Sequence, residues 1–340
     1  MNTSGLCMVR YTMDGLRLNR HEKERLQAGF RETRLRPEAD PRLVIIQPKG
    51  AKVAVNSSRF EKDLADCWHH SFDISVVRSP EALIYLGEEE GNKREENPKR
   101  RNFFAIAAAN VSRGALDGLK LVEVKGTLLG GLEAAPLALL GLALAATNGQ
   151  AGQRFCPACG GATSGVKDIG FSRRCESCPR QYFPQVIPAV LVAVLDGAGH
   201  ILLSQRRAKS NVLTILSGFI LQGETAETAA RREVEEEAGV RLDRLNYVGS
   251  QTWPFPSLLM LTYYAVIQKE DREKKLVVEA DELVKVEWVE KTEVQRALGG
   301  LHPSIACPPF WTAGNRMIAL WAKGIVNDQG EVVGNPQASL

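Results

Sequence analysis

Neither a His-Glu-x-x-His nor a Gly-x-Ser-x-Gly pattern occurs anywhere in the chain, and histidine is scarce at five residues in 340. Zinc proteolysis and serine hydrolysis therefore lack their parts. Long apolar runs are missing too. The longest, Ala134 to Ala146, is too short to cross a bilayer and is interrupted by Pro136 and Gly141, so no membrane partner is expected. The N-terminus has no secretory apolar core, and Arg10, Arg17, Arg20 and Arg25 are diluted by Asp14, Glu22 and Glu24, unlike an acid-poor transit peptide. The terminal Ala338-Ser339-Leu340 matches a peroxisomal tripeptide only faintly, because its middle residue is not basic. A cytoplasmic, reducing compartment is the expectation, with mitochondrion or peroxisome as alternatives. Net charge is only +3, which supplies no broad footprint for nucleic acid.

What is present is ordinary in bulk: 44% hydrophobic and 24% charged residues, as in a globular protein of about two domains. The cysteines are less ordinary. Seven occur, and without a signal peptide they argue against disulfides. Four form Cys156-x₂-Cys159-x₁₅-Cys175-x₂-Cys178, a spacing that lets two tight turns close a tetrahedral thiolate site around one structural zinc ion. Cys7, Cys67 and Cys307 fall outside the pattern and read as structural or incidental. His69-His70 beside Cys67 reads as a surface pair.

Along the chain, residues 1–150 form an N-terminal α+β domain. Apolar runs at Leu43–Ile46, Ala82–Leu86 and Phe103–Ala108 predict strands. The segment Glu88 to Arg101 is too charged to pack and predicts a solvated loop. Leu128 to Ala146 predicts a buried helix leading into a zinc ribbon at 152–183. In the following domain, 184–299, the runs 189–195 and 201–207 flank Asp196-Gly197-Ala198-Gly199 and predict a hairpin. Further strands are expected over Thr214–Ile220, Tyr247–Thr252 and Leu258–Gln268. Residues 300–340 hold a C-terminal helix, Thr312 to Ile325, and a tail. The fold class is α/β (α+β), with helices on both faces of a sheet in the C-terminal half.

Residues Gly218 to Val240, GFILQGETAETAARREVEEEAGV, read as loop, helix and stop. Thr225 is the expected N-cap, Glu227 suits the first turn, and Gly239 should end the helix in a left-handed conformation. Gly218 and Gly223 supply backbone freedom to the loop. Glu233, Glu236 and Glu237 fall at i, i+3 and i+4 and so share one helical face. Charges about 5 Å apart repel by roughly 3 kcal/mol per pair at an effective dielectric of 20. Hard divalent cations, Mg²⁺ or Mn²⁺, would offset that and could activate a water for attack on phosphorus. Glu224 and Arg232 read as loop-to-helix braces. The glycine spacing also suits a phosphate-binding P-loop, but Glu224 stands where that loop needs lysine, so the P-loop reading fails.

Gly218, Glu224, Arg232-Glu233-Val234, Glu236-Glu237 and Gly239-Val240 are in register with the Nudix box. Together with the four-cysteine ribbon and Ser250-Gln251-Thr252-Trp253-Pro254-Phe255-Pro256, the chain resembles the NADH pyrophosphatase family of Nudix hydrolases. The resemblance is dense from Phe155 to Trp288. Further upstream, only Tyr85-Leu86-Gly87 and Phe103-Phe104-Ala105 match. It implies a Nudix α/β/α sandwich with a mixed sheet, a homodimer, and hydrolysis of NADH or NAD⁺ to nicotinamide mononucleotide and AMP. Removal of NAD caps from RNA 5′ ends is the alternative activity. It further implies catalysis by Glu233, Glu236 and Glu237, which also ligate metal with the Ser217 carbonyl and Glu282, Glu279 and Asp281 being substitutes for Glu282. Phe183, Gln251, Trp253, Phe255 and Ser257 would line the dinucleotide pocket. Three departures stand out: Leu221 where relatives carry an acid, Thr252 in place of proline, and Leu258 in place of the closing serine. They motivate a third reading, a ribbon-bearing module that binds a nucleotide without cutting it. The discriminating observation is tight binding without hydrolysis.

Overall fold

The computed structural model describes residues 18–19, 33–49, 51–56, 70–72, 74–78, 82–89, 100–124, 132, 134–165, 172–255 and 257–335. Cys7, Cys67, His69, the N-terminal arginines, most of the charged stretch 90–99, the approach 128–131, Pro256 and the terminal tripeptide lie outside the described residues. The chain divides into two compact units. One comprises Thr12–Val186 with Trp253–Ser257, and the other Ile187–Thr252 with Leu258–Leu340.

In the first unit, β1 (Leu18–Asn19), β2 (Pro41–Gln47), β3 (Lys52–Asn56), β4 (His70–Ser71), β5 (Ile84–Glu89), β6 (Asn102–Ala107) and β7 (Leu119–Glu123) build one sheet. Its order is β1-β5-β6-β2-β3-β7, with β4 paired to β2. Leu43, Ile45, Tyr85, Phe104 and Ile106 form the core of one face. The helix α1 (Ala134–Gly152) packs on β2, β5 and β6, as its apolar composition requires. One expectation is corrected here. Glu88 and Glu89 belong to β5 rather than to a solvated loop, and Glu88 is buried. Ion pairs with Arg34 and Arg100 offset the burial of Glu88, and Arg101 pairs with Glu89 at 2.7 Å.

Three short strands, β8 (Thr163–Gly165), β9 (Arg173–Cys175) and β10 (Gln181–Tyr182), form a separate antiparallel sheet around the four cysteines.

The second unit is organised about β11 (Ile187–Leu195), which pairs with its neighbours in both directions. It lies parallel to β15 (Leu258–Ile267) and antiparallel to β12 (His200–Gln205) and β13 (Leu216–Phe219). β14 (Leu242–Trp253) and β16 (Lys285–Glu290) close the two edges, in the order β14-β15-β11-β12-β16. Successive residues of β11 alternate between two cores, as a strand covered on both faces must. Val190, Val192 and Val194 meet helix α2 (Ala226–Ala238) through Ala229, Ala230 and Val234. Leu191, Ala193 and Leu195 face the cluster that includes Val294 of α3 (Lys291–Leu298) and Met317, Ile318 and Trp321 of α4 (Ala313–Ala322). The arrangement is helix, mixed sheet, helix. α4 is a main wall of the second core, and the described residues beyond 300 pack in this unit. β16 and α3 were not anticipated from the sequence.

Candidate functional site

Helix α2 begins as its sequence dictates. The Thr225 hydroxyl accepts a bond from the Thr228 N–H at 3.2 Å. Gly239 ends the helix at φ 72°, its N–H donating to the Glu235 carbonyl. The small side chains Ala229, Ala230 and Ala238 bring α2 close to β11 and β13, and this sets the depth of each glutamate. Glu237, three residues beyond Val234, is carried inward and its side chain is 1% exposed. Glu233 is partly covered, and Glu236 is 52% exposed. The shared helical face therefore runs from core to solvent.

Gly218 has a different reason from the one its sequence suggested. It is not among the positive-φ residues. A Cβ placed there would lie 1.9 Å from Cδ of Glu233, so the strand backbone and that carboxylate occupy the space a side chain would need. Gly223, at φ 87°, does supply loop freedom. Arg232 is the brace. It donates to both Glu224 oxygens at 2.7 and 2.9 Å, to the Phe219 carbonyl at 2.9 Å, and to Glu233 and Glu236 at 2.8 and 2.9 Å. These bonds pull the Glu224 carboxyl down to about 2, and the Leu221 N–H adds to the effect.

Charge accumulates behind that brace. Burial pushes the Glu237 carboxyl up to about 7, against the lowering pull of Arg206, and the nearby Glu233 and Glu282 charges raise it further. Burial also raises Glu233, with Glu236 and Glu282 adding to it and Arg232 opposing. The Glu282 charge acts on both glutamates. Oε2 of Glu237 is buried with no hydrogen-bond partner, while Oε1 accepts from Arg206 at 2.9 Å. The chemistry of an orphaned buried carboxylate oxygen with further carboxylates nearby suits a hard divalent cation, though these acids are not gathered as tightly as the four cysteine sulfurs. The same Arg206 nitrogen donates to the Ser217 carbonyl at 2.7 Å.

The cysteines converge. Among the described residues Cys156, Cys159, Cys175 and Cys178 form the one group of metal-capable side chains whose ligand atoms all lie within 4.8 Å of one another. Cys156 and Cys178 sulfurs are 3.8 Å apart and those of Cys159 and Cys175 3.5 Å. The Cys156 N–H donates to the Gly161 carbonyl, the Gly160 N–H to the Cys156 carbonyl, and the Ser177 N–H to the Cys175 sulfur. The set fits a four-thiolate metal site. Tyr182, missed in the sequence, brings its hydroxyl to 2.8 Å from the Cys156 sulfur. Cys307 stands apart, its thiol pushed up to about 11 by burial.

The residues expected around the dinucleotide divide between the units. Phe183, Trp253, Phe255 and Ser257 belong to the first, where Phe183 is 65% exposed. The Trp253 and Phe255 rings meet edge to face at 5.5 Å, and Asn148 donates to the intervening Pro254 carbonyl. Gln251 belongs to the second unit. It is buried, donates to the Trp311 carbonyl at 3.1 Å and accepts from the Ala313 N–H at 2.8 Å, so its amide is committed to seating α4. Arg206 was also missed. It follows the last strand residue in a Gln-Arg-Arg run with no motif to mark it, and only the placement of β12 and β13 reveals its role.

The NUDIX domain family description matches residues 186–306. Human NAD-capped RNA hydrolase NUDT12 is 34% identical over 181 residues, covering 50% of this chain and 38% of the human protein. NAD-capped RNA hydrolase NudC of Deinococcus radiodurans is 32% identical over 223 residues, covering 64% of this chain and 72% of that protein. A NUDIX-family hydrolase structure from Clostridium perfringens superposes with a TM-score of 0.32 at 19% identity, over 40% of this chain and 98% of the other. The chain thus spans well under half the length of the human relative.

Proposed function

This chain belongs to the NADH pyrophosphatase-type family of Nudix hydrolases, and we propose that it hydrolyses the pyrophosphate bond of NADH or NAD⁺, giving nicotinamide mononucleotide and AMP. The observation that carries this reading is the buried Glu237, with an unpartnered oxygen, among Glu233, Glu282 and the Ser217 carbonyl. Glu233, Glu237, Glu282 and that carbonyl would hold Mg²⁺ or Mn²⁺, helped by Glu236 at the solvent side. A bound divalent ion supplies Lewis-acid polarisation of a phosphoryl oxygen and a more acidic water.

The remaining work falls to this chain's own side chains. Arg232 fixes the loop and holds Glu233 and Glu236 in place. Glu236 or Glu237 takes a proton from the attacking water. One bond from that water oxygen to phosphorus forms, the bridging P–O bond breaks, and the displaced phosphate leaves as the second mononucleotide. Phe183, Trp253 and Phe255 offer rings for the two planar bases, with stacking contributing about 1–3 kcal/mol per base, and Ser257 a hydroxyl. Four thiolates, Cys156, Cys159, Cys175 and Cys178, would hold structural Zn²⁺.

Both curated relatives are named NAD-capped RNA hydrolases, which favours a second reading, removal of an NAD cap by the same chemistry. Incubation of the purified chain with NADH, NAD⁺ and NAD-capped RNA at equal concentration, with Mg²⁺ or Mn²⁺, tests both. AMP release from free dinucleotide is the expected result. Faster release of the cap gives the RNA reading precedence, and no turnover of any of the three sinks both. We also assign the chain to homodimers, with sedimentation as the check.

Gly218→Ala is expected to lower turnover by about 100-fold, because the Glu233 carboxylate must move by an ångström or more. The stability cost should be small, because only the flexible end of Glu233 has to give way. Kinetics and thermal melting measure the two effects, and a fully active variant would show that Glu233 needs no fixed position.

A further inference from the structure

Arg206 stands outside the signature motif, immediately after β12, and its side chain is 40% exposed. One guanidinium nitrogen, Nη2, makes three contacts: the Ser217 carbonyl at 2.7 Å, the Ser217 hydroxyl at 3.3 Å and Glu237 Oε1 at 2.9 Å. Two of these oxygens are among the ligands assigned above to the divalent ion. Two positive groups held on the same carboxylate and carbonyl repel, so a divalent cation coordinated there at about 2.0–2.6 Å and the guanidinium each weaken the other's hold, although Oε2 of Glu237 stays open to the ion. Occupancy by one therefore disfavours the other.

We propose that Arg206 is a resident competitor for the metal's oxygens, which a divalent ion must displace and which then pairs with the phosphate of the incoming nucleotide. The idea rests on the carboxylate reading given above. The side chain is rooted at the exposed end of a strand, so it can swing away without disturbing either core. A planar guanidinium is well matched to phosphate oxygens, and the displaced group therefore has a natural partner only when a nucleotide is present. Metal and nucleotide should then each improve the binding of the other, since linkage is reciprocal. In free protein, Arg206 also supplies a positive charge to a pocket holding Glu233, Glu237 and Glu282. It thereby lowers the repulsion that would otherwise favour metal capture. Arg206 is a positioning residue in this scheme, with an effect opposite in sign to that of a ligand.

The test is Mn²⁺ titration of the full, zinc-loaded chain, followed by electron paramagnetic resonance, with and without saturating AMP. Arg206→Ala should bind Mn²⁺ about tenfold more tightly than wild type without AMP, a change within the usual range of site coupling. AMP should tighten Mn²⁺ binding to wild type several-fold and to the variant much less. Arg206→Lys, which keeps charge but not the planar fork, should fall between, and it serves if the alanine variant fails to fold. Loss of an arginine with a merely structural role would leave metal affinity unchanged or weakened. Either of those results, or an AMP effect of equal size in both proteins, overturns the proposal. Glu237→Gln separates the two levels: Mn²⁺ binding that is unaffected by this change defeats the carboxylate reading itself, whereas weakened binding there with no gain in Arg206→Ala defeats only the role of Arg206.

Discussion

Glu237→Gln is expected to lose turnover by about 10³-fold or more while gaining thermal stability in protein free of added Mg²⁺ and Mn²⁺. The loss follows from the ligand role proposed for Glu237, whose charge would be removed where electrostatic terms are largest. The gain follows from linkage. Burial holds the Glu237 carboxyl near 7 in the folded chain, against an ordinary value of 4.5. A carboxyl raised in this way is favoured as the neutral acid in the native state, so ionisation opposes folding. The penalty is absent below about pH 4, grows between pH 4 and 7, and is complete above the folded value. At 1.36 kcal/mol per unit it amounts to on the order of 3 kcal/mol at pH 8. Glutamine never ionises and still offers an oxygen to Arg206. Melting curves at pH 4 and pH 8 should therefore coincide for the two proteins at the lower pH and separate at the higher one. A variant that melts below wild type at pH 8, or still turns over, contradicts this account. Added Mn²⁺ should raise the melting point of wild type and leave the variant nearly unchanged.

With zinc held by the four cysteines as proposed, Cys175→Ser should release it and unfold that sheet. β8 and β9 are three residues long and β10 only two, so they bury little apolar surface of their own. The proposed zinc ion would supply most of the stability, since structural zinc contributes about 10–16 kcal/mol in small domains of this kind. Elemental analysis should fall from one zinc per chain toward none, and limited proteolysis should open cleavage sites between Phe155 and Tyr182. Cys307→Ser is the control, since that thiol lies apart from the cluster, and it should keep its zinc. Full zinc retention in Cys175→Ser would exclude the four-thiolate site.

The parts of this protein that were legible in its sequence are those where one residue type has one physical use. Thr225 and Gly239 mark the ends of α2 because capping oxygens and left-handed backbone have few alternatives. The four cysteines are legible for the same reason. The alternating strands around β11 could be read because the sheet is covered on both faces. What escaped depends on partners distant in sequence. Glu88 looked solvent-exposed beside a run of charge, yet Arg34, 54 positions away, accompanies it into the fold. The bonds that tie the Gln251 amide to the backbone of Trp311 and Ala313 likewise join positions 60 and 62 apart. Lys285–Glu290 and Lys291–Leu298 are short and charge-rich, and their apolar positions Val286, Val289 and Val294 are too few to set a period. Arg206 carries no local signal at all.

The interlock of Gly218 with Glu233 ties two positions of the motif into a single unit of inheritance. The glycine is held there by the acid's bulk and not by a turn, so a gene copy freed from catalytic selection could exchange the glutamate for something small and then tolerate alanine or serine opposite it. Retired paralogues should accordingly lose both letters together, whereas Gly239, demanded by its left-handed backbone and by Val277 packed against it, should outlast them.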